Sequence, residues 1–90
     1  MNIMVAHYSI HGSEFVAYEP RTIVKETPKC YVDCYGRRWL KSELNAPILR
    51  YPASYPYIEV AMIDATEQEL REKMSEWFES KIVKLRRGEL

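Results

Sequence analysis

The fold is decided by residues 66–87, which read TEQELREKMSEWFESKIVKLRR. Apolar residues recur there at steps of three and four, so they form one stripe along a single amphipathic helix. The stripe consists of Leu70, Met74, Trp77, Phe78, Ile82 and Leu85. Thr66 and Glu69 fit a capping box at the start, and Gly88 stands where a helix stop is expected. The stripe must be buried, and the segment before it is the partner that the chain offers.

Residues 1–63 predict a β-rich segment. In the first predicted strand, residues 2–10, the side chains of Met4, Ala6 and Tyr8 alternate onto one face. Turn signals and prolines separate the later strands, which we predict at 14–19, 22–27, 29–35, 38–41, 48–51 and 57–63. Residues 1–90 therefore predict a single α+β domain, in which a bent antiparallel sheet or small open barrel packs against one C-terminal helix at about 66–87.

The turn between the fourth and fifth strands is the weakest part of this prediction. A two-residue turn at Gly36-Arg37 would pair Cys34 with Trp39, which suits an apolar face. The same register would place Asp33 opposite Leu40, which does not suit a polar face. A bulge or a longer turn would shift the pairing.

Composition excludes several classes of protein. The 90 residues carry 13 basic and 13 acidic side chains, and a net charge of zero argues against a protein built mainly to bind nucleic acid. At 47% hydrophobic residues the chain is too apolar for disorder, yet its apolar runs are too short to span a membrane. No signal-peptide pattern opens the chain, so we expect a cytoplasmic protein without membrane contact. A domain this small buries only about 60% of its unfolded surface, so a homodimer would add stability.

Neither a metal site nor a catalytic site emerges from the sequence. His7 and His11, like Cys30 and Cys34, are four residues apart, which is roughly 13 Å along a strand and too far for one tetrahedral ion. We therefore predict no metal and no cofactor, and expect both cysteines to be reduced thiols in the core. No residues mark an oxyanion hole or a phosphate-binding loop, so we predict that the protein is not an enzyme.

Two clusters of tyrosine and arginine are the candidate binding residues. The chain has seven tyrosines, and tyrosine and arginine are enriched at protein-interface hot spots. The predicted partner-binding residues are Tyr51, Tyr55 and Tyr57 in the proline-containing loop, and Tyr35, Arg37 and Arg38 at the hairpin. Interleaved aromatic and basic groups also suit single-stranded nucleic acid, which is the alternative partner. Ordinary packing of these rings against the sheet would explain the same pattern.

Residues 22–44, TIVKETPKCYVDCYGRRWLKSEL, resemble small uncharacterised proteins of bacteriophages and prophages. The resemblance lies in a lysine-acid-threonine strand, a tyrosine strand, a glycine turn and a Lys-Ser-x-Leu ending, and it covers about a quarter of the chain. It implies a non-enzymatic protein that acts in the host cytoplasm by binding a host protein. Some such proteins inhibit defence nucleases such as CRISPR–Cas. The resemblance assigns no site residue.

Overall fold

The computed structural model describes residues 1–9, 14–51 and 56–86, with side chains described as far as residue 81. Its strands are β1 (Asn2–Ser9), β2 (Glu14–Ala17), β3 (Arg21–Glu26), β4 (Cys30–Asp33), β5 (Arg38–Leu40), β6 (Ile48–Arg50) and β7 (Tyr57–Ile63). A 3₁₀ turn covers Lys41–Glu43, and helix α1 covers Glu67–Arg86.

The strands form one antiparallel sheet in the order β5-β4-β3-β1-β7-β6. Strand β1 lies at its centre and pairs with β7 from Ile3–Ile63 to Ser9–Tyr57. The other edge of β1 is shared, because β2 pairs with its second half and β3 with its first residues. The predicted bent antiparallel sheet with one helix is confirmed.

The bend of the sheet begins between β2 and β3. The pairing Ala6–Ala17 gives way to Ile3–Arg21, so one extra residue is inserted on the β2–β3 side. Tyr18 still donates its N–H to the Val5 carbonyl at 2.9 Å, but Pro20 has no N–H to continue the ladder. Beyond this bulge β3 leaves β1 and pairs with β4, which curls the sheet into a half-barrel.

Helix α1 covers one face of the sheet. Leu70 and Met74 are buried against Ala6, Ile58 and Val60. The other described stripe residues, Trp77 and Phe78, are half-buried at the edge of this core, whereas the side chains at 82 and 85 lie outside the described part. No helix of the described ranges is long and apolar enough to cross a membrane.

The capping box at the start of the helix is formed as predicted. Glu69 donates its N–H to Thr66 Oγ1 at 3.2 Å, and the Thr66 N–H points to Glu69 Oε1 at 3.4 Å. The predicted stop at Gly88 falls outside the described residues.

The opposite face of the sheet is covered by the β4–β5 hairpin. Trp39 of β5 is buried there against Ile3, Val5 and Ala61, which gives the domain a second apolar core. Residues of the same face beyond this core are polar, and they include His7 on β1 and Glu59 on β7, which are direct cross-strand partners. The hairpin therefore covers the apolar part of this face, and the turn of the hairpin lies against the polar part.

Candidate functional site

The β4–β5 turn is the longer of the two that the sequence left open. Tyr31 pairs with Trp39, and Asp33 faces Arg37 with its N–H on the Arg37 carbonyl at 3.0 Å. The loop thus has three residues, 34–36, so the Cys34–Trp39 pair that a two-residue turn would have given does not form. Gly36 donates its N–H to the Asp33 carbonyl at 3.0 Å and has φ of +83°, the left-handed geometry that closes a three-residue hairpin loop.

The side chain of Asp33 explains why the longer turn forms. Its Oδ1 accepts the N–H groups of Tyr35 and Arg37 at 2.9 and 3.0 Å. Its Oδ2 accepts from Trp39 Nε1 at 2.9 Å and from Arg21 Nη1 at 3.1 Å. Burial by itself raises the pKa of Asp33, but these hydrogen bonds outweigh it and hold the pKa below its ordinary value. A buried, charged carboxylate therefore fixes the turn from inside.

Tyr35 stands at the tip of this turn and is 78% exposed. Its backbone is held by Asp33, and the Arg21 guanidinium lies 5.2 Å from the centre of its ring. Cys34 is also exposed, so the expectation that both cysteines are core residues is wrong for Cys34; Cys30 is half-buried, and both are free thiols. The tip thus presents a large ring on a braced backbone.

A second buried carboxylate, Glu59, lies on β7, the strand that pairs with the central strand β1. It is 3% exposed, accepts two bonds from Arg37 at 2.6 and 3.1 Å, and lies 2.8 Å from His7 Nε2. Arg50 Nε lies 3.5 Å from Glu59 Oε1. Burial raises the pKa of Glu59, but the His7 and Arg37 hydrogen bonds and charges lower it from 4.5 to about 2. We call His7, Arg37, Arg50 and Glu59 the Glu59 cluster.

Arg37 connects the two carboxylates. Its backbone N–H binds Asp33, its guanidinium binds Glu59, and the guanidinium carbon lies 3.6 Å from the Trp39 ring centre. The planar guanidinium of an arginine can donate two parallel hydrogen bonds to a carboxylate while it stacks on an aromatic ring. A lysine ammonium group cannot do both. The hairpin turn is therefore pinned to the centre of the sheet through one side chain.

His7 extends the cluster into a row of aromatic rings. Its ring centre lies 4.5 Å from that of Tyr57 and 4.9 Å from that of Tyr18, which meets it edge-on. Tyr57 is half-buried and Tyr18 is 41% exposed, so the row runs from the cluster to the surface.

The structure brings together four of the six predicted binding residues. Tyr35, Arg37 and Arg38 belong to the hairpin. Tyr57 is connected to it by a chain of contacts, because its ring contacts His7, His7 binds Glu59, and Glu59 binds Arg37. Tyr51, which follows β6, is 78% exposed but has no described ring contact. The remaining prediction, Tyr55, lies outside the described residues.

Sequence reasoning missed the residues that hold this site in place, namely His7, Tyr18, Arg21, Asp33, Arg50 and Glu59. Glu59 carried a signal, because it is the one acid in the otherwise apolar or aromatic strand YIEVAMI. Asp33 carried another, because it did not fit the register of a two-residue turn. The hydrogen bonds of Asp33 to the turn cannot be predicted from the sequence until the register of the two strands is known.

The cleft at the Glu59 cluster is small. The cleft between Arg37, Trp39, Arg50 and Glu59 has a volume of about 20 Å³, room for one water molecule. Within the described ranges no three His, Cys, Asp or Glu side chains are grouped to bind a metal ion. Arg37, His7 and Glu59 bind one another, whereas Arg50 Nε is buried without a hydrogen-bond partner among the described residues. The part of the site that faces outward is the hairpin tip with Tyr35.

The chain matches no protein-family model, no curated protein and no solved structure.

Proposed function

We propose that this protein is a non-enzymatic interaction protein that binds and occludes a partner protein. The contact surface is the hairpin face, defined by Tyr18, Arg21, Tyr35, Arg37 and Arg38. The observation that carries the proposal is the 78% exposed Tyr35 ring on a turn whose backbone is fixed by a buried carboxylate.

Bracing matters because an exposed side chain loses rotamer freedom when it is bound. Immobilising a rotamer-rich side chain costs about 0.5–1.5 kcal/mol. Tyr35 and Tyr18 lose less than free tyrosines would, since Arg21 and His7 already contact their rings. Rigid tyrosines beside arginines are the residue types that dominate protein-interface energetics.

The charges of the face favour a protein over single-stranded nucleic acid. Three guanidiniums lie in ion pairs with three carboxylates, so their charges cancel; the pairs are Arg21–Asp33, Arg37–Glu59 and Arg50–Glu43. A phosphate backbone attracts free cations and releases counterions when they bind. Arg38 is the exposed cation of the face, and among the described residues it has no ion pair.

The class of partner follows from the resemblance of residues 22–44 to phage proteins. It implies a host protein in the bacterial cytoplasm, and defence nucleases are the partners to test first. Occlusion needs no chemistry from this chain, which agrees with a site whose carboxylates Asp33 and Glu59 are both engaged by neighbouring side chains.

Affinity capture from a bacterial lysate, followed by mass spectrometry, tests the proposal. A captured protein should bind wild type and lose affinity by about 2 kcal/mol or more with Tyr35→Ala, the effect of removing a hot-spot ring. Arg38→Ala should mainly slow association and reduce its salt dependence, as rim charges do. Arg37 is unsuitable for this purpose because it holds Glu59 inside the fold.

Two controls make the result decisive. Glu76→Gln, on the helix at the other face of the sheet, should leave binding unchanged. A mobility-shift assay with short single-stranded oligonucleotides at physiological salt covers the alternative. Low-micromolar oligonucleotide binding that Arg38→Ala abolishes and Tyr35→Ala preserves would replace the protein-partner proposal.

A further inference from the structure

An open cleft lies beside the hairpin, at the bulge where β2 passes into β3. It is lined by Tyr18, Glu19, Pro20, Arg21 and Tyr35 and has a volume of about 360 Å³. That volume is at the low end of the range of clefts that bind small ligands or short peptide segments. The cleft is separate from the Glu59 cluster, whose residues do not line it.

The walls of the cleft are aromatic and held in place. Tyr18 is 41% exposed and meets the edge of the His7 ring, and Tyr35 is 78% exposed with Arg21 beside its ring. Aromatic grooves of this kind bind proline-containing peptides in the polyproline II conformation. Such peptides are already extended before binding, so they lose little entropy on docking.

Arg21 supplies hydrogen-bond donors to the cleft. A guanidinium has five N–H groups, and among the described residues the Arg21 fork makes one hydrogen bond, from Nη1 to Asp33 at 3.1 Å. A polyproline II segment has no internal hydrogen bonds, so its carbonyl oxygens are free to accept from such a donor.

The charge of the cleft selects among ligands. The charge of Arg21 is balanced by the buried, ionised Asp33, whereas Glu19 is exposed and has no ion pair among the described residues. Glu19 is therefore the charge of the cleft that no described residue balances, and it attracts a lysine or arginine.

We propose that the Tyr18–Tyr35 cleft binds an extended, proline-containing segment of the partner protein that carries a basic side chain. The proline rings contact the two tyrosines, a peptide carbonyl accepts from Arg21, and the basic group pairs with Glu19. This specifies the partner chemistry of the proposed interaction protein and rests on that proposed function.

Selection from a random twelve-residue phage-displayed peptide library tests the cleft without a known partner. The full chain is immobilised, and the recovered peptides are synthesised for affinity measurement. We expect enrichment of sequences with two or more prolines and at least one lysine or arginine. No enrichment, or enrichment of acidic or proline-free peptides, overturns the proposal.

Four variants locate the binding of those peptides. Tyr18→Ala and Tyr35→Ala should each weaken it by about 30-fold or more. Glu19→Gln should weaken it about 2- to 5-fold, in a salt-dependent way. Val24→Ala is the control, because Val24 is an apolar residue that is 62% exposed but does not line the cleft. Peptides that bind Tyr18→Ala and Tyr35→Ala as tightly as wild type overturn the proposal.

Thermal melts of each variant show whether it is folded, and Glu19→Gln changes neither a buried group nor a described contact.

Different outcomes refute the two proposals. If no peptide is enriched but Tyr35→Ala still loses a captured protein, the cleft proposal fails and the interaction protein stands. If Tyr35→Ala keeps every captured protein and no peptide is enriched, both fail.

Discussion

Replacing Glu59 with glutamine removes the negative charge on which Arg37, Arg50 and His7 converge while keeping the shape of the side chain. Removing one partner of a fully buried ion pair destabilises a protein by about 3–5 kcal/mol. Because Arg37, Arg50 and His7 are each about a third exposed, we expect a loss at the low end of that range. The pKa of Glu59 gives a similar value. A fall from 4.5 to about 2 on folding corresponds to about 3 kcal/mol of stability, at about 1.4 kcal/mol for each pH unit between the two values.

The sign of the pH dependence follows from the lowered pKa. Glu59 contributes its full stability above pH 4.5, where it is ionised in both the folded and the unfolded chain. As the pH falls toward 2 the unfolded chain binds the proton first, and the contribution is lost. The free energy of unfolding of wild type should therefore exceed that of Glu59→Gln by about 3 kcal/mol at pH 7, and the difference should shrink toward zero near pH 2. Asp33, whose pKa is also lowered, adds a pH dependence of the same sign to both proteins.

Urea unfolding followed by tryptophan fluorescence, between pH 2 and pH 7, measures this difference. Glu76→Gln is the control, since that carboxylate is 69% exposed and lies 3.8 Å from Lys73 on the helix surface. An exposed pair of this kind contributes at most about 1 kcal/mol. A Glu59→Gln loss below 1 kcal/mol at pH 7, or a loss that stays constant with pH, would refute the account of the Glu59 cluster.

Two further substitutions test the hairpin. Gly36→Ala should lower the free energy of unfolding by about 1–2 kcal/mol. The φ of Gly36 is +83° and no atom lies within 4 Å of the added Cβ, so the cost comes from the backbone conformation alone. Chemical denaturation measures this loss, and an unchanged midpoint would contradict the turn geometry. Trp39→Phe should lower the free energy of unfolding by about 1–3 kcal/mol and raise the pKa of Asp33, because it removes the indole donor from a buried carboxylate. An NMR titration of the Asp33 carboxyl should show that rise. No rise would show that the indole hydrogen bond does not stabilise the charge.

The elements of the fold were predictable because each has a local cause. The predicted strand 57–63 is the observed β7, and the capping box at Thr66 begins the helix one residue later. The turn at Gly36 was not predictable from its glycine alone. Its length is set by the Asp33 side chain, whose partners Arg21 and Trp39 lie on other strands.

The candidate site was predictable only in part, for a similar reason. Tyrosine and arginine at the hairpin indicated a binding surface, and Tyr35 and Arg38 are exposed there. The exposure of each arginine depends on where the buried carboxylates fall, which is a long-range property of the sheet. Arg37 therefore looks like its neighbour in the sequence but is committed to Glu59 in the fold.

The central pairing of β1 with β7 has a consequence for synthesis of the chain on the ribosome. These are the first and last strands in chain order, and 54 residues, 10–63, must be added after β1 to complete β7. At about 5–20 residues per second, the ribosome needs roughly 3–11 s to deliver β7 after β1 is made. During that time β2 and β3 can pair with one edge of β1, while the backbone N–H and C=O groups of the other edge, which pair with β7 in the folded protein, stay unpaired. The interval in which the nascent chain is open to aggregation is therefore set by translation speed.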